Sequence, residues 1–400
     1  MKKKAFNLKY IFFAAFIGGY IFSTFNYFYT NYILDLIPIL CILFFFKYIN
    51  YKIKLSSYEL VILFLWSFFC LNYLFIGIMW LDAACIIKSI IYFISVISVI
   101  MFLKFIKYDE LKIILKLSIS ISLPLHFIWL VCFSKIHGGK FESISPGLMN
   151  FSSNELSYIL LFSIFIPLNL ILLDNIKMPR KKYFYFFLLY TFPFIHLSKS
   201  HIIIYILSIL FSYFTIVSKH RKLFILFFII PIILIVTFEI VKYFSRYNWQ
   251  LFILYKALKL ILNLEVTSPI DLFNKIHLFH RAEIWEYVIK GLKENTFGYA
   301  CSKSHEILHY KDYHSIYFYI LLQSGIFNLI TFILIMVYLL LIKLKNKYLQ
   351  FLKNFIIFYL ILRGNFITID IEKWIIIIFI IMYIDKLKYH NNFYMKCLRG

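Results

Sequence analysis

Several short segments of the sequence combine residues that could do chemistry. SHEILHY carries an H-E-x-x-H at His305, Glu306 and His309. On a helix this spacing puts two imidazoles on one face with a glutamate between them, as in zinc proteases. A catalytic zinc also needs a third ligand and an open position. His314 does not stand at the metzincin spacing, so no metal ligand set is assigned. Arg281 opens the stretch RAEIWEYVIKGLK (281–293), where Ile284, Trp285, Val288, Ile289 and Leu292 form one stripe at helical spacing. Glu286 and Lys290 form an i, i+4 pair on the other side. Arg281 lies four residues before Trp285 and so shares that stripe, which is expected to face the membrane. The free N–H groups of a first helical turn attract anions, so an arginine there either completes an anion site or snorkels to lipid headgroups.

Six further residues are titratable or cationic. His314 starts a long apolar run with Asp312 just before it, placed to orient or charge the imidazole. Such a histidine could equally cap the helix or face headgroups. Lys199 lies in the turn HLSKSH, Arg363 and Asp370 bracket LRGNFITIDIEKW, and Lys88 stands a few residues inside an apolar run. What these groups can do together depends on the elements that carry them.

Those elements are membrane spans. The 400 residues are 62% apolar and 22% aromatic, carry a net charge of +23 and have a mean hydropathy of +0.84. Soluble domains average about 45–50% apolar and about 25% charged, so a water-soluble globular protein is excluded. Disorder is excluded by 48 Phe and 32 Tyr. A basic balance often means nucleic-acid binding, but here the charges are scattered between apolar runs, so no nucleic acid is expected. Twelve candidate spans run at about 10–25, 31–46, 57–79, 84–103, 111–134, 155–173, 183–198, 201–217, 223–243, 314–342, 350–362 and 374–385. The basic start lacks a small-x-small cleavage site and is read as an uncleaved first span. With both termini cytoplasmic, basic residues crowd the inner segments, whereas the short outer turns hold only Lys135, Lys140, Lys199, Arg363 and Lys373. That bias obeys the positive-inside rule.

The expected architecture is therefore one all-α polytopic domain over residues 1–400. A long periplasmic loop, 244–313, is inserted between transmembrane helices 9 and 10. It holds nine basic and seven acidic residues, and a loop of this length in a compact protein is usually functional. Besides 281–293 it contains an apolar stretch at 250–264, suited to a helix lying in the interface. Of the six cysteines, only Cys301 falls in a long polar loop, with no partner evident from spacing. On this topology Lys88, Lys199, Arg363, Asp370, Asp312, His314 and the loop share one membrane face. Carboxylates at mid-membrane, which an ion-coupled carrier would need, are missing, and a flippase would need polar groups along a path through the bilayer. The one deep titratable group, His126, is read as a core residue with Trp129. Cations gathered at one interface suit an amphiphilic substrate with a phosphate or diphosphate head, for which arginine is the bidentate ligand and lysine a point charge.

The order of HLSKSH, HRAEIWEYVIKGLKENTFGYA, YHSIYFYILLQSGIFNLITF and ILRGNFITIDI over about 190–375 resembles the O-antigen ligase family of bacterial inner-membrane enzymes. O-antigen polymerases share part of the pattern, and the RGNF-x-x-x-D-I segment favours a ligase. The resemblance implies a GT-C-like fold of about twelve transmembrane helices in the Gram-negative inner membrane, with the active site facing the periplasm. It also implies metal-independent transfer of undecaprenyl diphosphate-linked polysaccharide to lipid A-core, with no cofactor. It places the family's loop arginine at Arg281 and its essential histidine at His314, the two catalytic residues; topology sets Lys199, Arg363, Asp370, Asp312 and Lys88 at the same face, toward the donor. The family's turn usually reads serine or threonine then arginine; this chain has Lys199 there, which keeps the charge and loses the fork.

Overall fold

The computed structural model describes residues 55–128, 134–137, 140–143, 199–216, 249–276, 279–309, 315–364 and 375–387, with short pieces between 235 and 247. The expected spans at 10–25, 31–46, 155–173 and 183–198 lie outside the described residues. The described helices are α1 (Ser57–Met79), α2 (Ala83–Phe105), α3 (Tyr108–Ile128), α4 (Lys199–Ile216), α5 (Trp249–Leu262), α6 (Pro269–Lys275), α7 (Phe279–Glu294), α8 (Ala300–Ile307), α9 (Ile316–Leu341), α10 (Lys347–Arg363) and α11 (375–387). Three of them, α1, α2 and α9, are long and apolar enough to cross a membrane. The protein is a predominantly helical membrane protein.

Sequence accounts for the helix limits. Ser56 donates its N–H to the carboxylate of Glu59 at 2.6 Å, which fixes the start of α1. Asp82 caps α2 by accepting from the Cys85 N–H, and Asn346 caps α10 by accepting from Tyr348 and Leu349. Both loop stretches expected to be helical are so, as α5 and α7. A third, α6, was not anticipated, although Ser268 caps it and Pro269 fills its first turn. Also unanticipated is a two-stranded antiparallel hairpin, β1 (Ser134–His137) with β2 (Lys140–Ser143), with Ser134 opposite Ser143 and His137 opposite Lys140. Gly138 and Gly139 stand between the strands, a pair that favours a tight hairpin turn.

The core lies where α1 meets α2 and α9, and where α4 meets α10. Trp66 is fully buried, stacks on Phe69 at 5.2 Å and donates its indole N–H to the Tyr92 carbonyl. Tyr205 meets Phe355 edge-on at 5.1 Å, and the Asn354 amide donates to the Thr215 hydroxyl at 2.7 Å. On the far side of α1, Phe64, Phe68, Leu71, Phe75 and Ile78 are exposed at i, i+4, i+7, i+11 and i+14. An exposed apolar stripe this long is untenable in water and suits lipid.

Charged groups collect at the two ends of this bundle. At one end Lys104, closing α2, pairs with Glu59 at 2.6 Å, the Tyr383 hydroxyl donates to the Ile106 carbonyl, and Asp385 accepts from the Lys345 and Asn346 N–H groups. Lys353 is fully buried there. Its ammonium donates to the carbonyls of Leu339, Leu340 and Ile342, which close α9 and otherwise lack intrahelical partners. Lys353→Met leaves those carbonyls unsatisfied, and a lost charged hydrogen bond at a buried acceptor costs about 1–3 kcal/mol. A lowered melting temperature of the purified protein in detergent is the expected result.

Candidate functional site

The other end of the bundle holds the long loop, and it does more than cover the membrane helices. Helix α9 is broken at Gly325, whose φ of 78° and ψ of −179° lie outside helical geometry. An unbroken helix would bond the Ile326 N–H to the Leu322 carbonyl. Here the Leu322 carbonyl accepts from Tyr299 at 2.7 Å, and the Ile326 N–H donates to the Thr296 carbonyl at 3.1 Å. The α7–α8 connection thus supplies the two backbone partners that the break removes. In a span such partners are obligatory, because hydrocarbon offers none.

The fit requires glycine on both sides. A Cβ on Gly325 would lie 2.4 Å from the Phe297 oxygen, and one on Gly298, where φ is +100°, would lie 2.6 Å from the Gly325 nitrogen. Side chains seal the joint. Trp80 and Asn295 both donate to the Gly298 carbonyl, at 3.2 and 2.7 Å, and Asn72 donates to the Ser324 carbonyl at 3.1 Å.

Four chain segments meet at the first turn of α9, residues 315–319. Trp285 of α7 packs edge-on against Phe318 at 4.7 Å. The Lys88 ammonium of α2 sits 4.0 Å from the Tyr319 ring centroid, with the Tyr92 ring at 5.5 Å, which holds the cation by its attraction to aromatic faces. The Gly364 carbonyl, just past α10, accepts from the Ile316 N–H at 2.7 Å, and the Tyr317 hydroxyl donates to the Ile361 carbonyl at 2.6 Å. Arg363, fully buried, directly precedes Gly364.

The candidate residues are placed unequally by this arrangement. Lys88 and Arg363 are brought to the first turn of α9. Arg281 lies in the first turn of α7, one helical turn before Trp285, and Lys199 is the first residue of α4. The side chains of both lie outside the described residues, as do Asp312, His314 and Asp370. His314 nevertheless precedes Ile316 by two residues, and Asp370 follows Gly364 by six. His126 falls within α3, and its side chain is likewise outside the described residues, as is Trp129.

The apolar stripe of α7 is corrected in one respect. It docks on protein and does not face lipid: Ile284 and Val288 are buried with Tyr299, Leu308 and Leu322, and Ile289 alone of the stripe is well exposed. Trp285 prefers the apolar start of α9 because the loop inserts there. The H-E-x-x-H stretch also departs from the zinc-protease arrangement. Helix α8 ends at Ile307, and His309 takes a left-handed φ of 50° with its ring against Tyr287 at 4.9 Å. His305 and His309 therefore do not share a helical face, and Glu306 pairs with Lys303 at 2.5 Å. Among the described residues no three His, Cys, Asp or Glu side chains gather into a group that could hold a metal.

Sequence reasoning passed over Asp82. Its carboxylate accepts from the Ser302 N–H at 2.6 Å and the Cys85 N–H at 3.1 Å, tying α8 to the α1–α2 turn. Burial opposes its ionisation, but these amide donors outweigh burial and hold the carboxyl below the usual carboxylate range. A depressed folded pKa stabilises the protein above the unfolded value, about 3.9, and that contribution is lost as pH falls through the folded value. Asp82→Asn offers one acceptor oxygen where two are used, at a cost of about 1–3 kcal/mol. Its melting temperature should fall below wild type at pH 7, and the gap should narrow as the medium is acidified below pH ~4.

Comparison with protein-family models, with curated proteins and with solved structures returns no match.

Proposed function

We propose that the protein is an O-antigen ligase, transferring polysaccharide from undecaprenyl diphosphate to lipid A-core at the periplasmic face of the Gram-negative inner membrane. The observation that carries the reading is the meeting of α2, α7, the end of α10 and the start of α9 at one end of the bundle. That meeting gathers Lys88, the helix bearing Arg281, and Arg363 next to the segment that contains Asp312 and His314. The charge partition agrees with it: Lys104, Lys345 and Lys353 are at the opposite end, as a cytoplasmic face requires. Twelve spans, a GT-C-like arrangement and cytoplasmic termini belong to the same proposal.

In this mechanism the donor lies in the membrane with its diphosphate against Arg281 and Lys199, and the buried Arg363 adds its charge from beneath the site. His314 accepts the proton of an acceptor sugar hydroxyl, oriented by Asp312. The hydroxyl oxygen bonds to the anomeric carbon as the bond from that carbon to the diphosphate oxygen breaks. The cations stabilise the charge that develops on the leaving diphosphate. Asp370 is assigned to the glycan and Lys88 to the rim of the diphosphate site. Activation resides in the lipid diphosphate, so no nucleotide takes part.

A lipopolysaccharide gel developed with antiserum to the O-antigen tests the proposal in a deletion strain. Loss of all polysaccharide on lipid A-core, with long chains still accumulating on the carrier lipid, is the expected result. Lipid A-core bearing a single repeat unit would instead identify a polymerase acting on the same donor, and an unchanged ladder would contradict both.

A further inference from the structure

Cys301, which has no partner evident from sequence spacing, has one in the fold. Asp82 receives the N–H of Cys85 on one oxygen and that of Ser302 on the other, so one carboxylate holds the first turn of α2 and the first turn of α8 together. The two cysteines are thereby brought together at the contact of α2 with α8, close enough to influence each other's ionisation. Around the pair, the Cys85 sulfur also lies 3.7 Å from the Tyr73 carbonyl, the Cys301 sulfur lies 3.5 Å from the Gln323 amide oxygen, and that oxygen accepts from the Tyr73 hydroxyl. Both are free thiols, 216 residues apart in sequence. Cys85 is fully buried and Cys301 is partly exposed.

We propose that Cys85 and Cys301 are a dithiol–disulfide pair, a covalent modification site at which oxidation staples loop helix α8 to the end of α2. The pairing is independent of the transferase reading, because it rests only on the contact between the two helices. Cys301 is the attacking group. The neighbouring Cys85 thiol favours its thiolate, burial opposes this, the Lys88 ammonium adds to the favourable side and the Asp82 carboxylate opposes it; the balance holds the thiol below the ordinary range. The Cys301 thiolate attacks a sulfur of an oxidant disulfide, either a thiol–disulfide oxidoreductase or oxidised glutathione, and expels one thiolate. The Cys85 sulfur attacks the Cys301 sulfur of this mixed disulfide, expelling the second thiolate, which takes up the Cys85 proton and leaves as a thiol. The net change oxidises two protein thiols to one disulfide and reduces the oxidant disulfide to two thiols. The staple would fix the α7–α8 connection in the break of α9, because α8 follows it directly.

The full-length protein, with a specific protease site introduced after the exposed Glu265, gives the test. Membranes are treated with oxidised glutathione, quenched with N-ethylmaleimide, cleaved, and run on a gel without reductant. The fragments carrying Cys85 and Cys301 are expected to stay joined and to separate on adding dithiothreitol. Cys85→Ser and Cys301→Ser should each reduce the joined band at least tenfold, whereas Cys70→Ser, at a buried thiol elsewhere in α1, should keep it. Separation of the wild-type fragments after oxidation, or a joined band that persists in Cys301→Ser, would overturn the pairing. The single-serine variants need not be active for either result to be read.

Discussion

Replacing His314 with alanine is expected to lower glycan transfer about 10²–10⁴-fold, the usual contribution of a positioned general base, with the amount of folded protein unchanged. The reason is placement. His314 lies two residues before Ile316, whose N–H is tied to the Gly364 carbonyl, and five before Tyr319, whose ring holds Lys88. A general base works only in its deprotonated form, which also predicts that the wild-type rate falls on the acid side. The residual rate of His314→Ala should lack that limb. Arg281→Ala should lose a comparable amount through the leaving diphosphate, and Arg281→Lys should restore only part, since lysine keeps the charge without the bidentate fork. A pH–rate series on equal amounts of purified protein checks all three.

The second large effect is structural. Gly325→Ala places a Cβ 2.4 Å from the Phe297 oxygen at a backbone conformation that side chains rarely adopt. The conformation alone costs about 1–3 kcal/mol. If the clash expels the α7–α8 connection, the Leu322 carbonyl and the Ile326 N–H lose their partners inside the bundle, at several kcal/mol each in hydrocarbon. The expected outcome is a sharp fall in the monodisperse fraction on size exclusion and new protease cleavage at residues 295–300. Activity should fall in step with the folded fraction, unlike His314→Ala, where the two separate.

How much of this was readable without coordinates follows from which features are local. The 57–79 span has the same limits as α1, because apolar composition and the Ser56–Glu59 start act within a few residues. The helices at 249–262 and 279–294 were readable from their apolar spacing for the same reason. The break in α9 was not. Gly325 shows that a glycine stands in a span, but the partners that make a break tolerable, Thr296 and Tyr299, lie more than twenty residues away. The stripe on α7 was legible as a stripe, and its direction was not, since Phe318 and lipid are equally apolar. Asp82 and the pairing of Cys85 with Cys301 depend on a contact across more than two hundred residues. The geometry of H-E-x-x-H was not legible because the pattern is silent on where the helix ends, and α8 stops at Ile307.

The central claim, that this end of the bundle transfers a glycan from a lipid diphosphate, is tested most directly by reconstitution. The purified protein is placed in liposomes with undecaprenyl diphosphate-linked O-antigen and lipid A-core, with a metal chelator present and no nucleotide. The account predicts polysaccharide on lipid A-core, release of undecaprenyl diphosphate in equal amount, and loss of both in His314→Ala and Arg281→Ala. Folded wild-type protein that transfers nothing, or transfer at the full rate by both variants, would contradict it.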